Sequence, residues 1–278
     1  MSSSSSVERD APAKLNLFLE VLARRPDGYH EIDSVFQTIS LCDRVRVERA
    51  ESIELSVEGD APEGRENLAW RAAELLGVGA RIHLTKRIPP GSGLGGGSSD
   101  AAAVLLALDA LYGLGLGPRG LLPHAARLGA DVPFFLAGGL ARCRGIGERV
   151  EPLPTAREAE FLLAAPAFET STTRVYGALG TGLTGERQPA TVFLDRWFGM
   201  GEAAPARFFN RLQDVAEALD PRLKRMREAL ERATGAAFSM TGSGSAYFAE
   251  WRDSMEEPGA IGAAGTPIQV WRVRTTGR

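Results

Sequence analysis

A chain of 278 residues exceeds the usual size of one hydrophobic core, so two domains are expected, and an apolar content of 44% suffices to build them. With 32 Lys and Arg against 35 Asp and Glu, the net charge of -3 supplies no cationic face for nucleic acid or an anionic membrane. Cys42 and Cys143 stand far apart and in no C-x-x-C arrangement, which argues against a disulfide framework or a zinc knuckle and for a reducing cytosol.

Residues 1–10, MSSSSSVERD, lack the positive flank and apolar stretch of a secretion signal and read as a disordered tail. Residues 13–22 alternate and are rich in Leu, Val and Phe, a strand closed by the turn Arg25-Pro26-Asp27-Gly28. Shorter alternating runs follow at 45–47 and 53–57. A helix starts at Asn67, a good N-cap, keeps Leu68, Ala72, Leu75 and Leu76 on one face and stops at Gly77. A strand at 80–85 leads into a Gly-rich loop, then helices at 98–111 and 118–128. The longest uncharged apolar run in a helical context, 101–108, is far too short for a bilayer span, so no membrane partner is expected.

Around 152–157 the composition turns to Pro, Thr and charge, which marks a boundary between domains at 11–152 and 153–278. The second domain supplies a strand at 161–165, helices including 221–233, strands at 246–251 and 268–273, and a mobile connection at 180–189. Strands and helices mix without strict alternation, the pattern of an α+β fold.

The Gly-rich loop runs Pro89-Pro90-Gly91-Ser92-Gly93-Leu94-Gly95-Gly96-Gly97-Ser98-Ser99. Glycines let the backbone approach a ligand and adopt positive φ, while the free N–H groups of the following helix attract phosphate oxygens. Ser98 and Ser99 add hydroxyls for phosphate or Mg²⁺. Gly91, Gly93 and Gly96 satisfy the dinucleotide fingerprint G-x-G-x-x-G, but Pro89 and Pro90 intervene after the strand and no second strand with an acidic end follows. Gly91 and Gly96 have P-loop spacing, with Gly97 where that loop requires lysine. Neither H-R-D nor D-F-G occurs, so the protein-kinase pattern fails.

Strand alternation places Lys14, Asn16 and Phe18 on one face and Leu15, Leu17 and Leu19 on the other. The polar pair reads either as the solvated face of an edge strand or as a cation and an amide aimed into a site. Asp131 precedes Val132-Pro133-Phe134-Phe135 and reads either as a turn cap or as a functional carboxylate. Phosphoryl transfer to a hydroxyl needs a carboxylate to orient or deprotonate the acceptor and a cation to balance the transferring charge.

Pro89-x-Gly91-x-Gly93-Leu94-Gly95-Gly96-Gly97-Ser98-Ser99, followed by Asp100-Ala101-Ala102, resembles the ATP loop of the GHMP kinases, which include galactokinase and the homoserine, mevalonate and phosphomevalonate kinases. The resemblance implies ATP as co-substrate with Mg²⁺, and the two-domain GHMP kinase fold. Its N-terminal domain would be ribosomal-protein-S5-domain-2-like and its C-terminal domain ferredoxin-like, with ATP between them.

Four further motifs, Ala13-Lys14-Leu15-Asn16-Leu17, Asp27-Gly28-Tyr29-His30-Glu31, Gly129-Ala130-Asp131-Val132-Pro133-Phe134-Phe135 and Gly242-Ser243-Gly244-Ser245-Ala246, resemble in that order those of the 4-diphosphocytidyl-2-C-methyl-D-erythritol kinase family. That resemblance implies that Lys14 and Asp131 are the catalytic pair. It implies a small cytidine diphosphate sugar-alcohol substrate, phosphorylated on its 2-hydroxyl. Tyr29 and Tyr176 would stack on the cytosine and His30 would hydrogen-bond it, with Asn16 and Thr172 completing the substrate set. Without the resemblance, the aromatics read equally as core packing and His30 as a turn histidine. Gly242, Ser243 and Gly244 would lie beside the phosphates and Asn67 near the adenine, although a capping role alone explains Asn67. The Mg²⁺ ligands stay unassigned, and a cytoplasmic monomer or homodimer with no nucleic-acid partner is expected.

Two departures stand out. After Phe208-Phe209-Asn210 come Arg211-Leu212-Gln213, where the family often has Asp or Ser, Leu and Glu, and Asp214 arrives one place late. Asp100 stands where many relatives carry Asn and suits the helix dipole. Rival readings are a GHMP kinase for homoserine or a mevalonate derivative, a dinucleotide-dependent oxidoreductase and an RNA-binding module.

Overall fold

The alternation at 13–22 continues in both directions. In the computed structural model, which describes residues 6–154, 158–179, 188–199, 207–253, 255 and 267–277, β1 (Ser6–Arg24) folds back onto β2 (His30–Arg49) as a long antiparallel hairpin. Gly28 takes φ 89°, a conformation that a side chain would strain, and Asp27 Oδ1 accepts the Tyr29 N–H at 3.1 Å to close the turn. The expected tail is corrected over its second half. Residues 6–10 pair with 44–48, because Val7 reaches the core while Glu8 and Asp10 face Arg46 and Arg44 at 4.0 and 3.6 Å. Residues 1–5 lie outside the described residues.

β3 (Ile53–Glu58) and β4 (Ala80–Thr85) run parallel, joined by α1 (Leu68–Leu76). The α1 limits are as expected: Asn67 Oδ1 accepts the Ala69 N–H and Gly77 ends the helix in the left-handed region. After α2 (Gly96–Tyr112), α3 (Gly117–Leu128) and α4 (Val132–Ala137), β5 (Leu140–Gly145) pairs with β2, and β6 (Arg149–Pro152) pairs with β5. The helices share one core with the sheet. α2 is buried nearly all round from Ser99 to Leu108, which is why its sequence shows an apolar block rather than a stripe.

The second half of the chain contains β7 (Glu160–Pro166), α5 (Thr172–Gly177), α6 (Ala190–Trp197), β8 (Phe209–Asn210), α7 (Gln213–Leu219), α8 (Pro221–Thr234), β9 (Ser239–Met240), β10 (Tyr247–Glu250) and β11 (Ile268–Arg274). Its antiparallel sheet has the order β11-β7-β10-β9. Numbered along the chain, those strands run fourth, first, third, second, the order of a ferredoxin-like sandwich, so the α+β expectation holds in both halves. Residues 155–157 of the expected boundary and 180–187 of the expected connection lie outside the described residues.

The two halves pack directly against each other. Leu15, Leu17 and Phe18 of β1 pack in one apolar cluster with Phe161 and Leu163 of β7 and Phe248 of β10. β8, from the second half, adds to the first sheet in parallel with β1. The expected face assignment along β1 needs correction. Pairing with β2 slips between Asn16 and Phe18, and the extra residue reverses the alternation. Phe18 therefore joins Leu15 and Leu17 in the interdomain core, while Leu19 turns to the side of Lys14 and Asn16.

Candidate active site

A cleft of about 1070 Å³ runs between the halves, lined by β1, the Gly-rich loop, the start of α2, Asp131, α5 and the loop after β9. Gly91, Gly93 and Gly95 all have positive φ. All three also lack room for a side chain: a Cβ on Gly91 would lie 2.5 Å from Glu169 Cγ, one on Gly93 would collide with the Thr241 carbonyl, and one on Gly95 would lie 2.9 Å from Phe135 and 3.3 Å from Lys14 Cγ. The loop's own polar groups are largely turned to the framework. The Lys14 N–H donates to the Leu94 carbonyl and the Ala246 N–H to the Ser92 carbonyl, each at 3.0 Å, and Ser92 Oγ donates to the Pro89 carbonyl at 2.6 Å. Leu94 is a fully buried anchor.

What remains for a ligand is the start of α2. Gly95 caps it without a side chain, and the first intrahelical bond runs from the Ser99 N–H to the Gly95 carbonyl. The N–H groups of Gly96, Gly97 and Ser98 are left to point out of the helix. Ser99 Oγ is buried with no hydrogen-bond partner among the described residues. Free N–H groups, a helix dipole and the Ser98 hydroxyl at the cleft wall together fit a polyphosphate and a cation bound to it.

Lys14 sits on an inner strand, 3% exposed, so the solvated-edge reading fails. Its ammonium donates to Asn16 Oδ1 and lies 4.0 Å from Asp131 Oδ2 and 4.9 Å from the centre of the Phe36 ring. Burial lowers the Lys14 pKa, and the Asp131 charge partly opposes that. Asp131 stands at the N-terminus of α4 but makes no capping bond; its carboxylate is turned toward Lys14 and is 31% exposed. A shielded cation and an accessible carboxylate thus face one space.

Asn16 lines the cleft, and its amide is partly committed. Its nitrogen donates to Ser34 Oγ at 3.0 Å and its oxygen accepts from Lys14 and, at 3.2 Å, from Thr241 Oγ1. Its oxygen orients Lys14, and the second amide N–H, with no partner among the described residues, is left for the cleft. Asn67 is committed in the same way, to α1 and to the Pro62 carbonyl. At the far end His30 and Tyr176 meet with ring centroids 5.2 Å apart, and Tyr29 stands 60% exposed at the rim. Burial, then the nearby Arg24 charge, lowers the His30 pKa, favouring a neutral ring able both to donate and to accept. Thr172 Oγ1 and Ser243 Oγ share a hydrogen bond of 2.7 Å, tying α5 to the second glycine loop.

Residues 67–139 match the family described as GHMP kinases N terminal domain, and residues 197–264 that described as GHMP kinases C terminal, together about half of the chain. A 4-diphosphocytidyl-2-C-methyl-D-erythritol kinase from Pelotomaculum thermopropionicum is 44% identical over 249 residues, 86% of each chain. One from Thermus thermophilus is 42% identical over 273 residues, 95% of this chain and 94% of the relative. This chain belongs to the 4-diphosphocytidyl-2-C-methyl-D-erythritol kinase family of GHMP kinases. A crystal structure of 4-(cytidine 5'-diphospho)-2C-methyl-D-erythritol kinase superposes with a TM-score of 0.78 at 42% identity, covering 98% of this chain and all of that one. Homoserine kinase from Cytophaga hutchinsonii, at 20% identity and a TM-score of 0.69, shares the fold.

In this kinase the departures have physical compensations. Arg211 forks onto buried Glu20 at 2.7 and 2.8 Å; burial pushes Glu20 up, and Arg211 together with the Gln188 and Val21 N–H groups outweighs it and holds the carboxyl below its ordinary value. Gln213 Oε1 accepts the Met240 N–H at 2.9 Å, a bond that an amide oxygen makes without a charge, and Asp214 is exposed in the first turn of α7. Asp100 is not the dipole charge expected. It is 2% exposed and paired at 2.5 Å with Lys86, which also bonds the fully buried Asp43. Asp43 Oδ1 in turn accepts the N–H groups of Arg87 and Ile88, so this cluster lashes β2, the end of β4 and α2 together around the Gly-rich loop. Sequence reasoning missed it, although Asp43 interrupts the inward series Leu41, Val45, Val47 and so carried a signal.

Proposed function

We propose that this enzyme transfers the γ-phosphoryl group of ATP to the 2-hydroxyl of 4-diphosphocytidyl-2-C-methyl-D-erythritol, with Lys14 and Asp131 as the catalytic pair. The observation that carries the assignment is their opposition across 4.0 Å in a cleft that has the bare N-terminus of α2 on one side and the His30–Tyr176 pair on the other.

The acceptor oxygen forms its bond to the γ-phosphorus as the bond to the β–γ bridging oxygen breaks, and ADP leaves. Asp131, accessible from the cleft, orients the hydroxyl and takes its proton. Lys14 meets the charge that spreads over the transferring oxygens; its low-dielectric setting strengthens that interaction, and Asn16 fixes its direction. The N–H groups of Gly96, Gly97 and Ser98 hold phosphate oxygens. Mg²⁺ supplies further charge neutralisation on the β and γ phosphates when bound, and the Ser98 and Ser99 hydroxyls are the groups that would meet it. His30, Tyr29 and Tyr176 hold the cytosine, with Thr172 beside it.

No helix among the described residues is long and apolar enough to cross a membrane, which accords with the proposed cytoplasmic setting. ADP release, followed in a coupled assay with the cytidyl substrate, homoserine and mevalonate, tests the assignment. Turnover is expected with the first, and comparable turnover with either of the others would overturn it.

A further inference from the structure

A loop of small residues has little of its own to hold it in place. Residues 241–245 nonetheless lie against the phosphate loop: a Cβ on Gly242 would come within 2.9 Å of the Gly93 carbonyl oxygen and 3.4 Å of Lys14 Nζ. On its other side one side chain takes two carbonyls. Asn210 Nδ2 donates to Met240 O at 2.7 Å and to Gly242 O at 2.8 Å, and Asn210 Oδ1 accepts the Leu212 N–H at 2.9 Å. Both N–H groups and the oxygen of this buried amide are used inside the fold, so a flipped amide would set its oxygen against two carbonyls. Asn210 is itself pinned, pairing in β8 with Leu19 of β1, whose carbonyl accepts the Arg211 N–H at 2.9 Å. β1 also carries Lys14.

In a trans peptide the C=O and N–H bonds point in opposite directions. With the Gly242 carbonyl drawn to Asn210, the Ser243 N–H turns away from it, to the side where Gly242 and Ser243 line the cleft, and no acceptor among the described residues engages it. We infer that Asn210 is a positioning residue that registers the 241–245 loop on β1 and aims the Ser243 N–H at the phosphoryl group beside Lys14. The inference rests on the phosphoryl-transfer reading above. A donor fixed before the reaction stabilises developing charge without reorganising, and loss of one such donor costs of order 10²-fold in turnover.

Asn210→Ala removes both bonds. It is expected to lower kcat about 10- to 100-fold, to change the KM of the cytidyl substrate less than about threefold, and to weaken a non-hydrolysable ATP analogue in calorimetry about three- to tenfold. Asn210→Asp sets a carboxylate against two carbonyls. Protonated, it regains one donor, so its kcat relative to wild type should rise as pH is lowered from about 8 to about 6. Undiminished kcat in Asn210→Ala, or a loss seen wholly as a raised cytidyl-substrate KM with a pH-independent ratio in Asn210→Asp, overturns the inference. If Asn210→Ala does not fold, Asn210→Ser, which keeps one donor, carries the same readouts. Wild-type turnover in the same assay judges the kinase reading separately, and the calorimetry judges Asn210 even if that turnover is absent.

Discussion

Lys14 Nζ and Asp131 Oδ2 face each other across 4.0 Å, but the ammonium is nearly sealed while the carboxylate is about one-third open to the cleft. That asymmetry suits a fixed charge and a group that exchanges protons with a substrate. Asp131→Asn keeps the shape and removes the proton acceptor. It is expected to lower kcat by about two to four orders of magnitude and to leave ATP binding nearly intact, as read by steady-state kinetics and calorimetry. Unchanged turnover would remove Asp131 from the mechanism.

Lys14 sets function against stability. Its burial disfavours its charge, and Asp131 only partly offsets that. Lys14→Met should therefore fold with a Tm equal to or above that of wild type, while kcat falls by about 10²- to 10³-fold for want of a cation at the transferring phosphoryl. A large drop in Tm would show the charge to be a stabilising element instead.

Tyr176 lies against His30 at the end of the cleft away from the Gly-rich loop. If the pair holds the cytosine, Tyr176→Ala forfeits stacking of about 1–3 kcal/mol, and the KM for the cytidyl substrate rises about 5- to 150-fold while the KM for ATP stays put. Equal effects on both substrates would place the lesion in the fold.

The Asp43–Lys86–Asp100 cluster holds two carboxylates on one ammonium, all three side chains at most 7% exposed. Lys86→Met strands both carboxylates and should cost about 3–5 kcal/mol in urea unfolding, unless they take up protons. An undiminished unfolding midpoint would show the carboxylates to be satisfied without the lysine.

Asp100 gives that cluster a pH signature. Burial, reinforced by Asp43 and opposed by Lys86, raises its pKa from 3.8 to about 7. The folded state then binds more protons than the unfolded one between those values, so this group's contribution is fullest below the unfolded pKa and is lost as pH rises toward 7. Asp100→Asn should gain in urea midpoint on wild type between about pH 5 and about pH 8. A constant difference across that range would contradict the raised pKa.

Much of this was legible locally. Asn67 and Gly77 mark α1 because a cap bond and a left-handed stop depend on neighbours within a few residues, and β4 follows from alternation alone. The Gly-rich loop was legible for the same reason: close backbone approach and positive φ demand glycine whatever lies opposite. The phase of β1 was not, since one slipped residue beside Asn16 inverts the positions from Phe18 to Val21, where a second slip follows, and only pairing with β2 reveals it. The strand at 6–10 was hidden by a serine-rich lead and two acids whose partners, Arg44 and Arg46, come late in the hairpin.

Residue types and their order thus determined by themselves that a Gly-rich loop enters a helix and that the chain carries the motifs of its family; the pairing of Lys14 with Asp131 came only with that resemblance. Which of those groups are free to act was decided only by tertiary structure. Ser92 has the chemistry of a ligand-binding residue but spends its hydroxyl proton inside the protein, and Asn16 and Asn67 spend their oxygens and one N–H each there, whereas Asp131 and the N–H groups at the start of α2 are left open to the cleft. A side chain's chemistry is local; whether its bonds are already taken depends on what the fold brings beside it, such as Thr241 at Asn16, 225 positions away.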